Sequence, residues 1–202
     1  MQYLKDSVKQ KIIDSALVEF RKNGYNGASM RDIAANTDIV SGNIYRYFRN
    51  KEDLFACAVG PAYEKLEMAS ESLRRAFIGP DVDLSSGENQ LKIDMLSVEI
   101  LDLFSQHKDE ILILLEKSEG TRFEGTKEKL KQTVSAIMRV VYLSKLGQGG
   151  RRLDDEFLIY LVASSFVDGV CLTLESSEEA GTIKNRMDVW IQITFHDLHK
   201  WI

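Results

Sequence analysis

The sequence predicts an all-α protein, and three observations carry that prediction. Only two prolines occur in 202 residues, and glycine is sparse inside the long periodic segments, so little interrupts helix formation. Apolar residues recur at spacings of three and four through most of the chain. Helix-capping residues stand where the N-terminal segments begin.

The first periodic segment is SVKQKIIDSALVEFRKNG, in which Val8, Ile12, Ile13, Ala16, Leu17 and Phe20 form one helical stripe. Asp6 or Ser7 can cap its start, and Gly24 can end it with a left-handed residue. In ASMRDIAANTD, Ser29 and Asp32 make an S-x-x-D capping pattern, and Ile33 and Ala34 supply the inner face of a short helix. A short break, TDIV, leads to SGNIYRYF, where Ser41 is the cap. Asn50 with Asp53 forms a looser cap for a helix beginning near Lys51. Three short capped helices and the start of a fourth thus occupy residues 1–55, the second and third joined by a short turn. That is a helix-turn-helix layout, whose second helix is the one that enters a DNA major groove.

Beyond it, KEDLFACAVGPAYEKLEMASESLRRAF reads as one long helix over 51–77, with a kink or short break expected at Gly60-Pro61. IGPDVDLSSG is a loop. ENQLKIDMLSVEILDLFSQH and KDEILILLEKS are helices, and the apolar run Ile111–Leu115 in the second demands burial on most sides. FEGTKEKLKQTVSAIMRVVYLSKL is amphipathic, GQGG breaks the chain, and DDEFLIYLVASSFVDGVCLTLES and EEAGTIKNRMDVWIQITFHDLHKWI close it. The expected division is a helix-turn-helix head over 1–53 and a larger helical body over 54–202.

The net charge of −5 hides an asymmetry: residues 1–53 hold nine Lys/Arg against seven Asp/Glu, and residues 54–202 hold seventeen against twenty-four. A mildly basic head on an acidic body suits a DNA-binding head on a body that does not bind DNA. There is no run of ~18 apolar residues, so no membrane span is expected. MQYLKDSVKQ lacks the apolar stretch of a signal peptide. Cys57 and Cys171 make neither a disulfide framework nor a clustered metal site, which points to a reduced, cytoplasmic setting. No G-x-S-x-G, phosphate-binding loop or Cys/His ligand set is present, and the pair His196 and His199 reads as polar helix surface. Neither an enzyme nor a cofactor is expected.

The segment SGNIYRYF carries the most specific chemistry. Ile44 and Phe48, four apart, anchor it to a core, while Asn43, Tyr45, Arg46 and Tyr47 can project from it. Arginine reads guanine edges and asparagine reads adenine edges, and tyrosine hydroxyls and Lys51 supply phosphate donors. Gly42 lets a backbone come close, and the helix starts at Ser29, Ser41 and Lys51 offer free N–H groups to phosphates. An ordinary three-helix packing unit with solvated polar faces is the alternative reading.

GASMRDIAANTDIVSGNIYRYFRNKEDLF resembles the N-terminal domain of the tetracycline-repressor (TetR) family of bacterial transcriptional regulators, over about residues 8–57. The resemblance implies that Ser29, Met30 and Arg31 open the second helix against the phosphate backbone. It implies that Ser41, Gly42, Asn43, Tyr45, Arg46 and Tyr47 lie on the recognition helix, and that Lys51 contacts phosphate. The chain departs from the family at Val40 and Ser41, where many members have a small polar residue and a lysine, which leaves the operator sequence open.

The resemblance further implies a homodimer built mainly from the last two helices and a ligand cavity in the body. Leu158, Leu161, Val162, Ser165, Phe166, Gly169 and Leu172 form a stripe that suits such an interface, as do Met187, Trp190, Ile191, Thr194 and Leu198. The alternative is that both stripes face only the subunit's own core. Tyr63, Met95, Phe104, Met138, Tyr142 and Phe166 are either cavity lining or plain core, and pocket residues stay unassigned. The expectation is a cytoplasmic, homodimeric, ligand-responsive regulator of double-stranded DNA. It would repress from a palindromic operator and be released by an apolar or amphiphilic small-molecule effector. An activator, and a small-molecule-binding protein whose head has lost DNA affinity, are the alternatives.

Overall fold

The computed structural model describes residues 2–37, 41–79, 82, 86–145 and 155–197. The described residues form nine α-helices and a π-helical turn, with no strand among them: α1 Gln2–Gly27, α2 Met30–Ala35, α3 Ser41–Ile44, α4 Lys51–Phe77, α5 Gly87–Gln106, α6 Lys108–Glu116, α7 Thr126–Lys145, α8 Glu156–Glu175, α9 Ala180–Ile191 and the turn Gln192–Asp197. GQGG and most of IGPDVDLSSG lie outside the described residues.

The chain divides into two compact units, Met1–Glu64 with His107–Thr126, and Lys65–Gln106 with Lys127–Ile202. This differs from the expected division at 53/54, and α6 is the reason. All five residues of Ile111–Leu115 are buried, as their unbroken apolarity requires. Ile113 and Leu114 share one core with Ile12, Phe20, Ile33, Ile44, Phe48 and Phe55. Phe123, after α6, joins it, meeting Phe55 and Tyr63.

In this first unit α1 buries Ile12, Ala16 and Phe20. It starts at Gln2, so Asp6 and Ser7 are inside it and do not cap it. Gly24 interrupts its helical geometry with φ 68° and ψ 172°. The φ is positive as expected, but the ψ is extended and not that of a left-handed turn, and glycine alone adopts such a pair cheaply. The next residue, Tyr25, donates its N–H to the Lys117 carbonyl at 2.9 Å. At the start of α4 the Asn50 side chain accepts from the Asp53 N–H at 2.8 Å, while the Asp53 carboxylate accepts from the Arg49 N–H at 2.9 Å. The looser cap is thus a reciprocal one. The helix then runs through Gly60-Pro61 without the expected break. Pro61 has no N–H to donate to the Cys57 carbonyl one turn back, a loss α4 tolerates.

In the second unit Val134 and Met138 of α7 pack with Ile159, Ala163 and Val167 of α8. Trp190 of α9 lies across α8. Its Nε1 donates to the Phe166 carbonyl at 3.1 Å, its ring stacks on Phe166, and a Cβ on Gly169 would sit 2.6 Å from the indole. α8 is long and apolar enough to cross a membrane by length and composition, although the charged residue Asp168 interrupts its apolar run. Its Ile159, Ala163, Val167, Val170, Cys171 and Leu174 are buried inside the chain.

Candidate nucleic-acid interface

α2 and α3 are short helices held from behind. Ile33 and Ala34 bury the inner side of α2, and the Ser15 hydroxyl donates to the Ile33 carbonyl at 2.9 Å, tying its end to α1. Ser29 caps α2 by accepting from the Asp32 N–H at 3.1 Å, and its hydroxyl donates to the Asp32 carboxylate at 2.8 Å. The capping pattern is therefore closed on itself, and a phosphate reaching Ser29 competes with Asp32 for the hydroxyl proton. Met30 packs partly into the core. Arg31 is exposed, with no intrachain hydrogen bond or ion pair among the described residues.

The expected recognition helix over 41–48 is shorter than its pattern. α3 covers Ser41–Ile44, and a tight turn continues it, with N–H groups of Arg46 and Tyr47 donating to the carbonyls of Asn43 and Ile44 at 3.1 and 3.0 Å. Ile44 and Phe48 are 0% and 1% exposed, so the anchoring residues behave as their spacing requires. Asn43 and Arg46 are exposed and Tyr45 is 57% exposed. None of the three makes a side-chain hydrogen bond or ion pair among the described residues. Around Gly42 nothing stands within 4 Å of a built Cβ. Tyr47 differs from this group, because its ring is partly buried against the core. Val40 and the Ser41 side chain lie outside what is described.

Lys51 departs furthest from expectation. Its ammonium donates to the carbonyls of Tyr25 at 2.6 Å, Ala28 at 2.9 Å and Asn26 at 3.4 Å. It also sits 4.5 Å from the centroid of the Tyr25 ring, a favourable cation–π distance. Burial, and after it the Glu52 carboxylate, push the Tyr25 phenol above its ordinary value. Sequence reasoning missed Tyr25, whose signal was an aromatic directly after the helix-ending Gly24.

The electrostatic asymmetry is local. Residues 107–126 add three Lys/Arg and five Asp/Glu to the first unit, and Glu64 one more acid, giving twelve basic and thirteen acidic residues in all. What suits an anion is the three exposed arginines Arg31, Arg46 and Arg49, not the charge of the whole unit.

The proposed interface residues of the second unit separate into two groups. Leu158, Leu161 and Ser165 are exposed, and Val162 and Ile191 are half-buried. Met187 and Thr194 are buried, at 1% and 4% exposure, so they face the protomer's own interior and are withdrawn from the interface. Phe166, Gly169 and Trp190 are engaged with one another, the glycine leaving room for the indole. Among the pocket candidates Met138 is buried in the α7–α8 core, Phe166 packs against that core, Tyr63 belongs to the first unit, and Met95 is exposed. The side chains of Tyr142 and His196, and all of Leu198 and His199, lie outside what is described.

Residues 12–58 match the family model for bacterial regulatory proteins of the tetR family. That segment is of the tetR type. Tetracycline-repressor-type regulators similar to it include the helix-turn-helix transcriptional repressor KstR of Mycolicibacterium smegmatis, 32% identical over 63 residues, which is 31% of each chain. The negative transcriptional regulator IcaR of the biofilm operon icaADBC in Staphylococcus epidermidis is 35% identical over 52 residues, 26% of this chain and 28% of that protein. The chain thus spans less than a third of the length of these relatives. A TetR-like transcriptional regulator from Rhodococcus shares the fold over 95% of both chains, with a TM-score of 0.55 at 18% identity.

Proposed function

We propose that the chain is a ligand-responsive transcriptional repressor that binds a palindromic DNA operator as a cytoplasmic homodimer and is released by a small-molecule effector. One observation carries this reading: Asn43, Tyr45 and Arg46 stand exposed, without a side-chain hydrogen bond or ion pair among the described residues, on a backbone pinned from behind by Ile44 and Phe48. A solvated packing unit does not need its least engaged side chains to be the ones that read base edges and hold phosphates. In this reading Asn43 and Arg46 read bases. Tyr45, Tyr47, Ser29, Arg31 and the backbone around Met30, Ser41 and Gly42 hold phosphates. Dimerisation uses the exposed apolar side of α8, Phe157, Leu158 and Leu161, with Val189 of α9 and Ile193 of the turn that follows it. Apolar side chains so exposed favour burial in a partner, and a two-fold dimer matches a two-fold site. The body would take an apolar or amphiphilic effector that favours one of two head arrangements.

Selection of duplexes from a random pool at low and moderate salt tests the reading. It predicts enrichment of a two-fold-symmetric sequence, with affinity falling as salt rises. No enrichment at low salt contradicts it and favours a small-molecule-binding protein without DNA affinity.

A further inference from the structure

We infer that Lys51 is a positioning residue for DNA binding, a clamp on the α1–α2 turn that makes no phosphate contact of its own; this rests on the DNA-binding reading above. An ammonium has three N–H donors. Those of Lys51 meet three carbonyls of one turn, Tyr25, Asn26 and Ala28, and its charge lies by the Tyr25 ring. A phosphate would have to strip the ammonium from all of these partners.

The location explains what the clamp does. Gly24 kinks α1 just before its end at Gly27, and the carbonyls of the last residues of a helix have no further helical N–H to accept from. Tyr25 is otherwise held by its N–H on the Lys117 carbonyl and by its ring, edge-on to Phe55 at 5.2 Å. The carbonyl side of the turn depends on Lys51. Ser29, the cap of α2, follows Ala28 directly, and Arg31 is two residues further on. Holding the turn therefore sets where Ser29 and Arg31 stand against a DNA backbone. The residue type matters as well. A compact ammonium can converge on three carbonyls, whereas the planar guanidinium fork is shaped for carboxylate or phosphate.

The test uses the full chain as wild type, Lys51→Met and Lys51→Arg. Binding to one fixed random-sequence duplex, long enough for two half-sites, is measured across a salt series at a temperature well below unfolding. The expected result is a comparable loss of affinity in both variants at every salt concentration. The slope of log affinity against log salt stays that of the wild type, and arginine gives no rescue. A slope shallower by about 0.9 for each phosphate contact removed, with Lys51→Arg binding as well as wild type, makes Lys51 a direct contact and overturns the inference. A lowered unfolding midpoint with unchanged affinity makes it a packing residue only, and also overturns it. A wild type that binds no duplex at low salt sinks the DNA-binding reading itself, a result distinct from variants that match a binding wild type.

Discussion

In the α2–α3 segment Asn43, Tyr45 and Arg46 hang outward from a backbone pinned by Ile44 and Phe48, whereas in the α8–α9 pair Phe166, Gly169 and Trp190 close on one another. Both regions showed a helical pattern with one apolar side and residues set aside for a partner. In the first, Asn43, Tyr45 and Arg46 make no side-chain hydrogen bond or ion pair among the described residues. In the second, several are spent inside it, and Met187 and Thr194 are buried outright. The difference teaches that periodicity identifies the apolar side of a helix but not which neighbour covers it. Polar residues beside buried anchors are the safer sign of a surface left for another molecule.

The strongest way to break the comparison is at the anchor. Phe48→Ala should destabilise the first unit by about 3–5 kcal/mol, as for other fully buried aromatics, and abolish duplex binding. Tyr45→Ala should leave stability within about 0.5 kcal/mol, as at ordinary surface sites. Urea denaturation of both variants decides it, and equal losses would mean that Tyr45 is structural.

Next in size is Gly169→Val. Its added carbons meet the Trp190 indole, an overpacking that costs about 1–3 kcal/mol. An unchanged urea midpoint would show that Trp190 moves aside freely and does not pin α9 to α8. Smaller for the protomer, yet decisive for assembly, is Leu161→Glu. Leu161 is 47% exposed, so folding stability should shift by less than about 0.5 kcal/mol. Sedimentation should still show conversion from dimer to monomer, and a dimer that survives would move the interface elsewhere.

The smallest expected effect is electrostatic. The Asp168 carboxyl is held below its ordinary value, first by its hydrogen bond with Lys127 and then by the charges of Lys127 and Lys131. Its folded value lies under its unfolded one, so its stabilising contribution is full above the ordinary carboxylate range and is lost as pH falls through the folded value. Asp168→Asn should therefore be slightly less stable than wild type near neutrality, with the difference vanishing in acid. A difference that persists at low pH would assign the effect to packing.

Much of this was legible in the residues themselves. Ser29 with Asp32, Asn50 with Asp53, and the Ile44–Phe48 spacing each specify a local geometry that involves only neighbours in sequence, and each is observed. The run Ile111–Leu115 announced burial but not its partner, because a helix apolar on all sides carries no direction. Its place in the first unit depends on contacts with α1 and α4, far away in sequence. The partners of Lys51 were hidden for a related reason: the carbonyls of Tyr25, Asn26 and Ala28 that meet its ammonium lie more than twenty residues away in sequence. The extra turn after Ile44 in place of a longer α3 has no clear mark in SGNIYRYF, since every residue there is compatible with helix.

The central claim is that the exposed side of α3 and the turn after it reads bases. Selection from a random duplex pool, run in parallel with wild type, Asn43→Ala and Arg46→Ala, tests it most directly. The account predicts that each variant relaxes preference at its own position in each half-site, by about 1–3 kcal/mol for a bidentate contact, while the rest of the site is retained. Identical enriched sites from all three proteins, or none from any, would contradict it.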